Sequence, residues 1–227
     1  GSLIRNLGGE VITLSASSKN HINALEINND IDMDENPVSI KSEFLISLFD
    51  QLLKSNDSRL GGGVGAKDKS IIDRCAIKVY GEYLSGKSEY MPTLVDFRNE
   101  LLRQPEDEAQ DLALSLEIFT TGSLDAFAHQ SDVNTNNRIV AYDILELGEQ
   151  MKSIGLLIML DNIFNRVMAN RRRGKYTRVY VDEAHLYFKN PYSADFLLKC
   201  WKRFRKYGGL LTGITQNISD CLLNETA

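Results

Sequence analysis

The chain has 227 residues, 43% hydrophobic and 25% charged, a size that allows one large globular domain or a domain with an inserted subdomain. Its formal net charge of −5 argues against wholesale wrapping of nucleic acid, which needs a basic surface to neutralise phosphates. Cys75, Cys200 and Cys221 are far apart and outside any C-x-x-C spacing, so they form neither a disulfide framework nor a zinc site and suit a reducing compartment.

The leading Gly1-Ser2 resembles a cleavage scar and is left out of the fold reasoning. Glu10 to Leu14 (EVITL) reads as a short strand after the turn signal Gly8-Gly9. After Asn36-Pro37, Phe44, Leu45, Leu48, Phe49, Leu52 and Leu53 recur at helical spacing, and Ser70 to Leu84 repeats the period more weakly. Pro92-Thr93 opens a third helix with Thr93 as its cap. Pro105 followed by Glu106, Asp107 and Glu108 opens a fourth, with acids at the positive helix end.

Beyond the polar stretch 131–137 the pattern becomes strand–helix–strand. RIVAYDI (138–144) is predicted as a strand and Leu147 to Asn170 as a long helix, apolar nearly all round. RVYVD (178–182) is a second strand, Asp195 to Lys206 a helix, and LLTGIT (210–215) a third strand. Such alternation implies right-handed crossovers and a mostly parallel sheet. The longest apolar stretch, Leu156 to Leu160, falls far short of the ~20 residues of a membrane span.

The sharpest feature is VYVDEAH (179–185). A buried strand ending in two carboxylates delivers them to the carboxyl edge of the sheet, where open α/β folds bind ligands. In nucleotide hydrolases the first carboxylate holds the magnesium shell and the second polarises the attacking water. The bland alternative is a helix N-terminus with acids in its first turn. The next strand closes on Gln216, whose amide can donate to phosphate and accept from water; its bland alternative is a helix cap.

Between these strands, Leu197, Leu198, Trp201 and Phe204 form an apolar arc, with Lys199, Lys202, Arg203 and Lys206 opposite. Arg205 projects between Leu198 and Trp201, inside that arc, so it is expected either to be ion-paired or to be directed at phosphate. A second basic cluster, Arg171, Arg172, Arg173, Lys175 and Arg178, ends the long helix, where cations are favoured. The glycine run 61–68 (GGGVGAKD) is a decoy. G-x-x-x-x-G-K-[ST] needs glycine where Ala66 stands and a hydroxyl where Asp68 stands, and no other stretch fits.

RVYVDEAHLYF (178–188) and FLLKCWKRFRKYGGLLTGITQNISDCLL (196–223) closely resemble the motor domain of type IV secretion ATPases of the VirB-four/TraE conjugative-transfer family. LGGEVITLS, INAL, NPVSIKSEF, KSIIDRCAIKVY and RIVAYDILEL agree. The resemblance implies an α/β fold, a RecA-like P-loop NTPase sheet that is mostly parallel and truncated, with an inserted all-helical subdomain. Residues 3–37 would begin the core, 38–130 form the insertion and 131–227 complete the core.

The resemblance further implies ATP and Mg2+ as cofactors. Asp182 would be the magnesium-side carboxylate acting through water, Glu183 the catalytic carboxylate and Gln216 the sensor. Arg205 or Arg203 would be an arginine finger acting across a subunit boundary, in a hexameric ring bound to other subunits of a secretion complex. The expected place is cytoplasmic, at the inner face of the bacterial membrane, with DNA or protein as cargo. The family's phosphate loop precedes LGGEVITLS, so the chain by itself is expected to be inactive. The strand ending in Gln216 would then have a bare apolar edge (Leu210, Leu211, Ile214), expected to pair with a second copy or with residues 218–227. Two alternatives stay open: a DNA-translocating motor of the same superfamily, or a non-catalytic protein-interaction module.

Overall fold

The computed structural model describes residues 1–15, 20–27, 36–56, 63–122, 125–133, 137–144, 146–147, 149–188 and 191–216. Its contacts divide the chain into two compact units, the first holding the described residues up to Gly155 and the second those from Leu156 onward.

The first unit opens with α1 (Ser2–Asn6) and β1 (Glu10–Thr13), which pairs in parallel with β2 (Val140–Asp143). Between the two strands lie α2 (Pro37–Asn56), α3 (Ala66–Leu84), α4 (Leu94–Leu102), α5 (Asp107–Ser115), α6 (Glu117–Thr120) and a 3-10 turn over Asp125–Phe127. The helix starts follow local chemistry. Asn36 caps α2 through its Oδ1, which accepts from the Val38 N–H at 2.9 Å, and Asp96 closes the start of α4 by accepting from the Thr93 N–H at 2.8 Å. The glycine decoy ends in a helix start of the same kind. Asp68 Oδ2 accepts from the Gly65 N–H at 2.8 Å, so α3 begins four residues before the periodicity of its apolar side chains becomes visible.

Segment 20–27 organises this unit. Ile22, Asn23, Ala24 and Leu25 are buried without belonging to a helix or strand, so their backbone groups need partners from elsewhere. Ile22 N–H donates to Ala126 O and Ala24 N–H to Phe127 O. The Lys41 ammonium of α2 donates to Ala24 O at 3.1 Å, and the Tyr80 hydroxyl of α3 donates to Leu25 O at 2.6 Å. Asn23 donates to Pro92 O at 2.9 Å. The helices are thus tied to one extended segment by buried polar bonds as well as by apolar contact.

The second unit contains the later turns of α7 (Glu149–Arg172), then β3 (Thr177–Val181), α8 (His185–Phe188), α9 (Pro191–Lys206) and β4 (Gly209–Gly213). β3 and β4 pair in parallel, Thr177 opposite Gly209 through Val181 opposite Gly213. Val179, Val181 and Leu211 face inward. The Phe164 ring of α7 stacks on Phe204 of α9 at 5.7 Å and meets Tyr207 edge-on at 5.5 Å. Among the described residues β4 pairs with β3 alone; residues 218–227, expected as a cover for its outer edge, lie outside the described residues. No helix of the described residues is long and apolar enough to cross a membrane.

Cys75 and Cys200 are buried free thiols. Burial pushes the Cys75 thiol up to about 11 and pushes the Cys200 thiol up as well, so neither is a thiolate at neutral pH.

The role of segment 20–27 is testable. Tyr80→Phe leaves the buried Leu25 carbonyl without this donor and is expected to destabilise the first unit by ~1–3 kcal/mol. A lower urea midpoint at constant slope would register that loss; an unchanged midpoint would mean the hydroxyl does not hold the segment.

Candidate active site

The parallel register of β3 and β4 continues past the strand ends. Ile214 N–H donates to Val181 O at 2.9 Å, and Ala184 N–H donates to Ile214 O at 2.8 Å. The two chains therefore leave the sheet side by side, and residues 33 positions apart in sequence meet. Gln216 Nε2 donates to Glu183 Oε1 at 2.6 Å. The carboxylate pair and the amide, read separately from the sequence, form one cluster at the carboxyl edge of this parallel pair.

Glu183 is held in an uncommon backbone state, with φ at +50°. Left-handed backbone costs a non-glycine residue about 1–2 kcal/mol, and such strain persists only where surrounding bonds over-determine it. Here the Glu183 N–H donates to Asp182 Oδ1 at 3.0 Å, and the ladder bond from Ala184 follows directly. The turn aims the two neighbouring carboxylates apart. Asp182 is exposed, while Glu183 leans over the end of β4 against Gln216.

The cluster includes a residue that the sequence reading passed over. His185 Nδ1 lies 3.3 Å from Glu183 Oε2 and 3.5 Å from Thr215 Oγ1. The only sequence signal for it was a histidine two positions beyond the second carboxylate. Without the β3–β4 register that spacing has no geometric meaning.

The arginines are elsewhere. α9 ends at Lys206, just before β4 begins at Gly209, so Arg203 and Arg205 lie at the opposite end of the strand from Gln216. The structure also corrects the expected burial of Arg205. The buried stripe of α9 is Ala194, Leu197, Cys200 and Phe204, whereas Leu198 is half-buried and Trp201 is 37% exposed. The apolar arc is rotated toward Cys200, because Phe204 rather than Trp201 makes the contact with α7. Arg205 is left exposed and without an ion pair among the described residues. Arg203, half-buried, lies near Cys200 together with Asp161 of α7.

The remaining basic residues fit the bland reading. Lys199 pairs with Asp195 one turn away at 2.8 Å, and Arg171 donates to the carbonyl of Lys206, closing the end of α9. A Cβ at Gly213 would press on Ala184 Cβ at 3.1 Å and meet the Trp201 ring in ordinary contact at 3.5 Å.

The donor set suits a hard cation in one specific way. Asp182 and Glu183 offer only carboxylate oxygens, the ligand type of Mg2+, which is commonly held by one or two carboxylates plus waters and substrate phosphates. No group of three or more metal-ligating side chains converges among the described residues. A magnesium ion here would depend on water and phosphate for the rest of its shell.

Two parallel strand pairs with helices between their strands, and a block of helices beside the first pair in sequence, define a mixed α/β protein. No protein-family model and no curated protein matches the sequence. Among solved structures, VirB4 of Thermoanaerobacter pseudethanolicus matches with a TM-score of 0.75 at 22% identity, over 99% of this chain and 62% of that one. The chain is VirB4-like in fold along essentially its whole length, and spans about 62% of the VirB4 chain it matches.

The exposed position of Arg205 makes a measurable distinction. Arg205→Ala is expected to change stability by no more than ~0.5 kcal/mol, as for surface substitutions, while its neighbour Phe204→Ala should cost ~3–5 kcal/mol. Thermal melts of both variants check the assignment; comparable losses would return Arg205 to the core.

Proposed function

We propose that this chain is the hydrolysis half of an ATPase motor of the kind that powers type IV secretion and conjugative transfer. The observation that carries the reading is the contact of Glu183 with Gln216 at the carboxyl edge of a parallel strand pair, within a VirB4-like fold. In this reading residues 38–130 are a helical subdomain inserted into a RecA-like core made by 3–37 and 131–227.

Each residue has a role that follows from its chemistry. Asp182, exposed and acceptor-only, orders the water shell of Mg2+ beside the nucleotide phosphates. Glu183 accepts a proton from the attacking water as general base. Gln216, which can both donate and accept, reports the presence of the γ-phosphate. ATP supplies the phosphoryl group, and the backbone cradle for its phosphates comes from a loop outside this sequence. Arg205, or Arg203, reaches toward the site of a neighbouring subunit as an arginine finger. The assembly is a homo-oligomeric ring, hexameric by the family's pattern, working with other secretion subunits at the cytoplasmic face of the membrane.

In the whole protein, Glu183→Gln is expected to cut turnover by ~100-fold or more while nucleotide binding stays largely intact. Loss of binding with turnover preserved per bound nucleotide would assign Glu183 another role.

A second reading, a DNA-translocating motor of the same superfamily, has one observation in its favour. Residues 156–227 carry twelve Lys and Arg against six Asp and Glu, net +6, leaving −11 on residues 1–155. Arg171, Arg172, Arg173, Lys175 and Arg178 are all exposed within that basic part. The first reading predicts weak binding of single-stranded DNA by the whole protein. Affinity falling ~1,000-fold or more between 50 and 200 mM salt would favour the second.

A further inference from the structure

Both carboxylate oxygens of Glu183 are engaged, by two different side chains. Oε1 accepts from Gln216 at 2.6 Å, and Oε2 faces Nδ1 of His185 at 3.3 Å. A carboxylate can only accept, so a hydrogen bond to Oε2 requires the proton on Nδ1, whereas a bare Nδ1 would accept from the Thr215 hydroxyl instead. With Nδ1 donating, the Thr215 hydroxyl at 3.5 Å is a lateral neighbour of the ring at the long limit of hydrogen bonding.

The two contacts differ in how firmly they are anchored. His185 opens α8, follows the residue whose N–H bonds Ile214 O, and has a side chain only 15% exposed. Gln216 is exposed and lies beyond the last ladder bond. The Glu183 side chain is 39% exposed and rotates about three bonds, so a single contact would leave its carboxylate free to swing. Gln216 donates to an anionic oxygen that a phosphate oxygen could replace.

We propose that His185 is a positioning residue for Glu183, its Nδ1–H pinning Oε2 so that Oε1 is left free and aimed at water when Gln216 turns to phosphate. The inference rests on the reading of Glu183 as general base. It assigns His185 no contact with nucleotide, metal or water.

The test separates positioning from folding and from the reading beneath it. Asparagine places its amide nitrogen near the position of Nδ1, and glutamine near that of Nε2. In the whole protein His185→Ala is expected to lower kcat ~10-fold with the KM for ATP within ~2-fold. His185→Asn should restore most of that loss and His185→Gln little of it. Unchanged kcat in His185→Ala, equal losses in the alanine and asparagine variants, or a loss expressed in KM would each overturn the proposal. A second readout needs no hydrolysis. In histidine-15N spectra of the same protein, the resonance lost in His185→Asn should report a proton on Nδ1 and should move in Glu183→Ala. A bare Nδ1, or a resonance indifferent to Glu183→Ala, overturns the contact. Turnover that survives Glu183→Gln would instead remove the base assignment while leaving the His185–Glu183 contact to stand or fall on the spectra.

Discussion

The parallel pairing of β3 with β4 is the constraint on which the candidate site depends. Five residue pairs from Thr177–Gly209 to Val181–Gly213 set the register, and two further backbone bonds carry it to Ala184 and Ile214. Strand side chains alternate with period two, so a slip of one residue would turn either Val179 and Val181 or Leu211 outward. It would also carry Glu183 out of reach of Gln216. Burial of those three side chains therefore fixes the geometry of polar groups beyond the strand ends.

The turn between β3 and α8 converts that register into chemistry. A straight continuation of the strand would send Asp182 and Glu183 to opposite faces of the sheet. The left-handed backbone at Glu183 instead brings its carboxylate across the end of β4. The strain is local and is opposed by bonds made within a few residues, from the Glu183 N–H to Asp182 and from the Ala184 N–H to Ile214.

The first unit is built on a different principle. Its helices surround an extended buried segment whose backbone cannot satisfy itself, and Lys41, Tyr80 and Asn23 complete the bonding. Buried polar bonds of this kind add little net energy when made and cost much when broken, so they select one arrangement of α2, α3 and the 90–93 turn over near-equivalent apolar packings.

Most of the element order could be read from the chain. Helical periodicity, Asn36 and Thr93 as caps, and the β-branched runs around 10–14, 138–144, 178–182 and 210–215 are local signals, and the structure places helices and strands there within a few residues. The carboxylate pair and Gln216 were likewise visible as strand endings. What sequence could not decide was which residues of one element face which residues of another. The arc of α9 is the clearest case: of the predicted arc Leu197 and Phe204 are buried, but Cys200 takes the place expected for Leu198 and Trp201, and Arg205 ends up in solvent. His185 is another, because its contact with Glu183 arises from a positive φ and an inter-strand register, neither of which leaves a residue pattern. Composition and periodicity act along one chain segment at a time; the meeting of residues 183, 185 and 216 is set by packing between segments, and it exists only once the sheet has formed.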